Sequence, residues 1–186
     1  MQSAVQLAEP NNLILADVAC PDPVVIVGAG PVGMHALRLL LKTQPNLPVR
    51  VYGDERYEPY DRVQLSGLLA GQHTFAELEL AGDLMRQELP NTQFVGQRVV
   101  SIDPEAKAVT DSSGQAQRYR SLILATGSRP FVPAIVGSDL AGVYTFRDMA
   151  DAEKLAARRV LSQHTVVLGA GLLGIEAARA MQRHNT

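Results

Sequence analysis

The same glycine pattern occurs twice in this sequence, each time between an apolar run and a helix-forming stretch. Gly28-x-Gly30-x-x-Gly33 follows Val24-Val25-Ile26-Val27, and Gly169-x-Gly171-x-x-Gly174 follows Thr165-Val166-Val167-Leu168. In such a turn the first glycine permits the tight bend, and the second lets a pyrophosphate approach the backbone. The third allows close helix packing, while the helix N-terminus offers unpaired N–H groups to the anion. A lone match also fits an ordinary packing turn. Two matches in the same strand–turn–helix context point to dinucleotide binding, at the first turn above all.

The surrounding sequence supplies the rest of an α/β fold. Val24 to Val27, bounded by Pro23 and Gly28, reads as a strand buried on both faces of a parallel sheet. A helix is expected over 31–42, with Val32, Ala36, Leu39 and Leu40 at helical spacing and Pro45 and Pro48 beyond its end. Val49-Arg50-Val51-Tyr52 is the second strand and completes a right-handed βαβ unit. Short helices are expected over 65–69 and 83–89. From Gln93 the apolar period falls to two, which predicts strands over 98–102, 106–110 and 116–119. Asp111-Ser112-Ser113-Gly114 forms the turn between the last two, so this stretch reads as a small antiparallel meander. Ser121-Leu122-Ile123-Leu124-Ala125 then returns to the fully buried pattern.

An amphipathic helix over 148–161 follows, with Met149, Ala152, Leu155, Ala156 and Val160 on one side. The second strand, glycine turn and a helix through Met181 come next. The expected organisation is a flexible N-terminal extension over 1–22, a Rossmann-like domain with its inserted meander over 23–140, and the start of a second Rossmann-like domain over 141–186. The sequence is expected to stop in mid-unit, where the second helix would hand over to its next strand.

Composition narrows the function classes. The 186 residues are 46% hydrophobic, enough for a packed core, and seventeen basic against nineteen acidic residues give a net charge of −2 without a long basic run. Nucleic acid and anionic membranes are therefore not expected partners. No segment approaches the ~18 consecutive apolar residues of a membrane span. Leu13-Ile14-Leu15-Ala16 before Cys20 imitates a lipoprotein signal, yet the start carries no positive charge and Asp17 interrupts it. A single cysteine, Cys20, excludes an internal disulfide, a thiolate zinc cluster and a CxxC pair within these residues. The expected location is cytoplasmic. His35, His73, His164 and His184 are scattered without ligand spacing, so no metal site is expected. No GxSxG elbow suggests a hydrolase.

Asp54 lies just past the second strand, roughly 20 residues beyond Gly33, where a carboxylate can accept hydrogen bonds from ribose hydroxyls. Asp54 and its neighbour Glu55 equally suit an ordinary polar strand end. The corresponding position of the second unit, which separates NAD from NADP, is expected beyond Thr186.

Between the units stands Ala125-Thr126-Gly127-Ser128-Arg129-Pro130, directly after a buried strand. A first glycine fingerprint, this ATG turn and a second fingerprint near residue 170 together resemble the FAD-dependent pyridine nucleotide-disulfide oxidoreductases, which carry two dinucleotide-binding domains. The resemblance makes 23–140 the first part of an FAD-binding domain and 141–186 the start of an NAD(P)H-binding domain. Glu58-Pro59-Tyr60-Asp61-Arg62-Val63-Gln64-Leu65-Ser66 lacks the redox-active cysteines of the disulfide reductases. Its PYxRxxLS pattern is similar to the branch that passes electrons to iron–sulfur or haem partners, which includes ferredoxin and rubredoxin reductases. The run through Gly71 and Thr74-Phe75-Ala76-Glu77-Leu78 is most similar to the nitrite reductase large subunit.

The resemblance implies that Gly28, Gly30, Pro31 and Gly33 hold the FAD pyrophosphate, that Asp54 binds the adenosine ribose and that Arg62 contacts the flavin side. It implies a backbone contact from Val99 to the adenine, with Thr126 and Gly127 along the cofactor. Gly169, Gly171 and Gly174 would hold the pyrophosphate of NAD(P)H, with Glu176 near its nicotinamide end. Plain strand packing remains open for Val99, a solvated loop position for Arg62, and complementing the helix dipole for Glu176. Several relatives carry a lysine at the position of Gly67, close to the reactive edge of the flavin. The implied function is passage of electrons from NAD(P)H through FAD to an iron–sulfur or sirohaem acceptor, as the electron-entry part of an assimilatory nitrite reductase. A ferredoxin- or rubredoxin-reductase-type flavoprotein and a non-catalytic FAD-binding fragment are the alternatives, and a homodimer is left open.

Overall fold

Four short apolar strands form a parallel sheet because both of its faces are covered. The computed structural model describes residues 22–82, 92–159 and 161–182. β1 (Val24–Val27), β2 (Val49–Tyr52), β3 (Thr92–Val95) and β7 (Ser121–Leu124) lie in the order β3-β2-β1-β7. All three pairings are parallel, with Val24 opposite Val49 and Ser121, and Val49 opposite Thr92. Because side chains alternate along a strand, Val24 and Ile26 face one side and Val25 and Val27 the other.

Helix α1 (Pro31–Thr43) covers the first face, packing Met34, Leu37 and Leu41 on Val24, Ile26, Val49 and Val51. This apolar stripe differs from the expected one: Val32 and Leu39 are exposed, and the helix turns the residues at 34, 37 and 41 inward instead. Pro31, at the first helical position, fixes a backbone already suited to the helix. The second face is covered by the meander β4 (Val99–Asp103), β5 (Ala108–Asp111) and β6 (Ala116–Arg118), antiparallel in that order. Val109, Tyr119 and Val99 pack there against Val25, Val27 and Tyr52. Arg50, on the same face of β2, donates to Gln117 of the meander and to Gln93 of β3. A polar strand residue thus finds partners at the sheet–meander junction.

The chain between β2 and β3 holds a single 3-10 turn (Arg62–Gln64), α2 (Leu65–Leu69) and α3 (Phe75–Leu78), with Thr74 and Glu77 forming a capping box. The expected helix over 83–89 and the N-terminal extension fall outside the described residues, apart from Asp22. After β7, an irregular stretch leads to α4 (Met149–Arg159) and α5 (Leu172–Gln182). Met149 and Ala152 of α4 pack with Tyr60, Leu65 and Leu78. Ala180 and Met181 of α5 bury against Leu69. The second unit therefore leans on α2 of the first.

The expected second-unit strand is a correction. Residues 165–168 are extended but join no ladder among the described residues, and Val166 and Leu168 are 89% and 75% exposed. A strand exists through its neighbours' hydrogen bonds, and no described segment lies alongside this one.

The meander turn rests on Asp111, whose Oδ1 accepts from Ser113 Oγ at 2.5 Å and from the N–H groups of Ser113 and Gln115 at 2.9 and 3.1 Å. The Ser113 hydroxyl, chiefly, holds this carboxyl below its ordinary value of 3.8, with the two N–H groups adding to it against the effect of burial. A depressed folded value means the stabilisation is present above the ordinary pKa and is lost as pH falls through the folded one. Asp111→Asn is expected to lower the urea midpoint at pH 7 and to give a shallower loss of stability as the pH falls below the ordinary carboxyl value of 3.8. Parallel acid limbs for the two proteins would refute this.

Candidate functional site

The C-terminal ends of β1, β2 and β7 open onto one crevice, and the first glycine turn forms its floor. The Gly28 N–H donates to the Tyr52 carbonyl, and the Ala125 N–H donates to the Val27 carbonyl, both at 2.8 Å. Gly28 has φ +116°, a region that side-chain-bearing residues rarely adopt, and a Cβ there would stand 2.1 Å from the Ala125 oxygen. A Cβ on Gly33 would stand 1.9 Å from the Gly28 oxygen. These two glycines let strand, turn and helix touch.

Gly30 is different. Its φ of −80° is open to any residue, and the three atoms nearest an added Cβ, at 3.6–3.9 Å, all belong to the Arg62 side chain. Nothing in the protein's own packing requires glycine at this position. What the missing side chain leaves clear is the approach to the first turn of α1, whose Val32 and Gly33 N–H groups have no intrahelical acceptor. That turn carries no acidic residue, and Arg62 sets a guanidinium beside it, with Nε 3.6 Å from the Cβ position. Donors, positive charge and open backbone fit an anionic diphosphate.

Arg62 is held from below. Its Nη2 donates to Glu55 Oε1 at 2.7 Å, and the Tyr60 hydroxyl donates to Glu55 Oε2 at 2.6 Å. Tyr60 is 3% exposed, and its hydroxyl accepts from the Met149 N–H at 2.9 Å. Burial, reinforced by the Glu55 carboxylate, pushes the Tyr60 phenol well above its ordinary value, so it remains a hydrogen-bond donor. Asp54 sits exposed on the loop after β2, whereas its neighbour Glu55 is the acid turned into the structure.

Thr126 and Gly127 follow β7 at the same edge, with the Thr126 nitrogen 3.0 Å from the Cβ position of Gly28. Gly127 has φ +70°, and Arg147 lies over it, donating to the Ser128 hydroxyl at 3.0 Å. The Val99 side chain packs beneath the sheet with Val25 and Tyr52, and its backbone runs opposite Asp111 in the meander.

The second turn repeats the first. Gly169 has φ +123°, and a Cβ on Gly174 would meet the Gly169 oxygen at 2.0 Å. Gly171, like Gly30, has no backbone near its Cβ position. Glu176 lies one turn into α5 and accepts from Ser66 Oγ of α2 at 3.2 Å, so it bridges the two units. A cavity of about 230 Å³ opens beside this contact, lined by Ser66, Gly67, Gln72, Glu176 and Arg179. At Gly67 the space a side chain would fill is taken by His73, whose Cδ2 lies 2.4 Å from the Cβ position. A larger cavity of about 780 Å³ lies under the second unit, between Phe131, Val143, Leu155, Val167 and Met181. Its lining is that of an open core rather than of a diphosphate site.

Sequence reasoning met Tyr60 only as part of the PYxRxxLS pattern and His73 only as a scattered histidine, did not reach Arg147, and treated Glu55 as an ordinary loop acid. The proximity of Tyr60 to Arg62 in sequence was visible, but its contact with Met149 spans 89 positions and depends on the tertiary fold. Among the described residues no group of three or more His, Cys, Asp or Glu side chains could hold a metal ion, and no helix is long and apolar enough to cross a membrane.

The chain is 38% identical over 161 residues to the NAD(P)H nitrite reductase large subunit of Klebsiella oxytoca, covering 86% of this chain and 17% of that protein. It is 34% identical over 163 residues to the ferredoxin–NAD(+) reductase component of the biphenyl dioxygenase system of Paraburkholderia xenovorans, covering 87% and 40%. The crystal structure of a ferredoxin reductase from Rhodopseudomonas palustris superposes with a TM-score of 0.80 at 30% identity, over 87% of this chain and 40% of that one. The chain thus spans about a fifth of the nitrite reductases it matches and two fifths of the ferredoxin reductases. The pyridine nucleotide-disulphide oxidoreductase family matches residues 22–186, and with that the chain belongs to this family.

Proposed function

We propose that this chain is the electron-entry part of an NAD(P)H-dependent FAD oxidoreductase. The observation that carries the reading is the duplicated glycine turn, each copy with an unobstructed second glycine facing a helix N-terminus. When bound, FAD supplies the conversion of a two-electron hydride donor into a one-electron source. The chain's own residues bind and orient. Gly28, Gly30, Pro31 and Gly33 shape the turn that takes the FAD diphosphate, with Arg62 adding charge beside Gly30. Asp54 offers its carboxylate to the adenosine ribose, and the Val99 backbone reaches the adenine edge. Thr126 and Gly127 pass close to the cofactor without a bulky side chain between. Gly169, Gly171 and Gly174 take the diphosphate of NAD(P)H, and Glu176, tied to Ser66, stands where the two units meet.

Within this class we favour an assimilatory nitrite reductase, cytoplasmic, delivering electrons to an iron–sulfur or sirohaem centre. Supporting this, three nitrite reductases match at 34–38% identity, and a Bacillus subtilis assimilatory nitrate reductase electron transfer subunit matches at 32%. A ferredoxin- or rubredoxin-reductase role is the second reading, supported by relatives at 32–34% identity that carry those names.

The test is a visible spectrum of the purified protein with FAD, before and after anaerobic NADH and then NADPH. Flavin bands that bleach with either nucleotide are expected. A protein that takes up no FAD, or whose bound flavin neither nucleotide reduces, would overturn the reading. Re-oxidation by nitrite in the presence of an added sirohaem-containing reductase, against re-oxidation by an added ferredoxin, separates the two roles.

The glycines give a second check. Gly30→Ala is expected to leave stability within about 0.5 kcal/mol and to weaken FAD binding at least about tenfold, because its Cβ meets no backbone. Gly33→Ala is expected to cost about 1–3 kcal/mol, because the new methyl must push α1 off the Gly28 carbonyl. Urea midpoints and flavin titrations measured on the same preparations separate these effects. Equal stability losses for the two variants would contradict the assignment.

A further inference from the structure

Arg62 can serve an anion at Gly30 only if its guanidinium waits there, and a free arginine side chain does not wait. Three contacts fix it. Glu55 takes one guanidinium N–H at 2.7 Å, Tyr60 takes the other Glu55 oxygen at 2.6 Å, and the Met149 N–H donates to Tyr60 at 2.9 Å. The guanidinium carbon also stands 5.9 Å from the centre of the Tyr60 ring. Tyr60 is itself immobile. Its ring is buried with Leu65, Leu78, Met149 and Ala152, and the Asp61 N–H next to it donates to the Leu78 carbonyl at 2.8 Å.

We infer that Glu55 and Tyr60 are positioning residues for the diphosphate site, acting through Arg62. The inference rests on the first glycine turn being the FAD site. Both Glu55 oxygens are committed inside the protein, so this acid holds an arginine rather than a ribose. Glu55 engages only Nη2, which leaves the Nε and Nη1 donors of Arg62 with no hydrogen bond to the described protein. Nε lies on the side of Gly30, 3.6 Å from its Cβ position, and Nη2, the nitrogen that Glu55 holds, stands at 3.7 Å. The carboxylate orients the guanidinium, and the buried phenol orients the carboxylate. The Met149 N–H, at the first position of α4, anchors the phenol. A hydrogen-bonded line therefore runs from the α4 N-terminus to Arg62 beside the glycine turn, and it fixes in advance a side chain whose ordering would otherwise be lost from the binding free energy.

The experiment is a double-mutant cycle read as FAD affinity, by flavin fluorescence on the full chain. Glu55→Gln and Tyr60→Phe are each expected to weaken FAD binding about five- to tenfold, the cost of ordering one arginine at the moment of binding. Each is expected to add no further loss in an Arg62→Gln background, because a residue acting through Arg62 has nothing left to position. Thermal unfolding of every variant accompanies the titrations. Tyr60→Phe keeps the buried ring, so it carries the cycle by itself if Glu55→Gln does not fold. Losses that multiply in the double variants, or single variants that bind FAD like the parent, would overturn the inference alone. A parent chain that takes up no FAD would overturn the functional reading and this inference together.

Discussion

The fold depends on three backbones meeting where one glycine stands. Gly28 closes β1, and its carbonyl lies against α1 at Gly33, while its α-carbon lies against the Ala125 carbonyl that closes β7. Neither approach tolerates a β-carbon, since both would leave about 2 Å between non-bonded atoms. The consequence reaches beyond the turn. Only with α1 seated so closely can Met34, Leu37 and Leu41 reach Ile26 and Val51. Only with β7 drawn in beside β1 does the crevice gain its second wall. A local steric condition thus sets both the core and the site.

The second copy separates what is local from what is not. Gly169 and Gly174 reproduce the bend and the helix contact almost to the tenth of an ångström. Yet the segment leading into Gly169 joins no ladder among the described residues, and its Val166 and Leu168 face outward. Turn geometry and helix start follow from residues within six positions. A sheet needs partners from elsewhere in the chain, and β1 has them in β2 and β7. The α5 helix compensates in part by laying Ala180 and Met181 on Leu69, the contact that brings Glu176 to Ser66.

This contrast explains what could be read in advance. The strand Val24–Val27 announced itself through an unbroken apolar run between Pro23 and Gly28, and Val49–Tyr52 and the helix over Leu65–Leu69 through apolar residues between glycine or proline boundaries. The meander was legible too, although its strands shifted by one or two residues, because period-two patterning fixes the face more firmly than the ends. Helix α1 was legible in extent but not in orientation: seven of its residues are aliphatic or Met, and which three turn inward is decided by the sheet they meet. Asp54 drew attention over Glu55 by spacing alone. The preference of Glu55 for Arg62 and Tyr60 depends on a loop geometry that no periodicity encodes.

The electrostatics of the crevice follow the same logic of local arrangement over bulk composition. A chain of net charge −2 would not by itself attract a diphosphate. The attraction is produced by orientation. The α1 N-terminus carries no acidic residue in its first turn, so its unpaired N–H groups face outward uncompensated. The Glu55 carboxylate is turned toward Tyr60 and Arg62 and presents the guanidinium rather than itself. Arg147 adds a second positive charge above Gly127 at the opposite wall. A negatively charged protein can therefore set positive charge beside one glycine turn, because Glu55 spends its own charge on Arg62 and Tyr60.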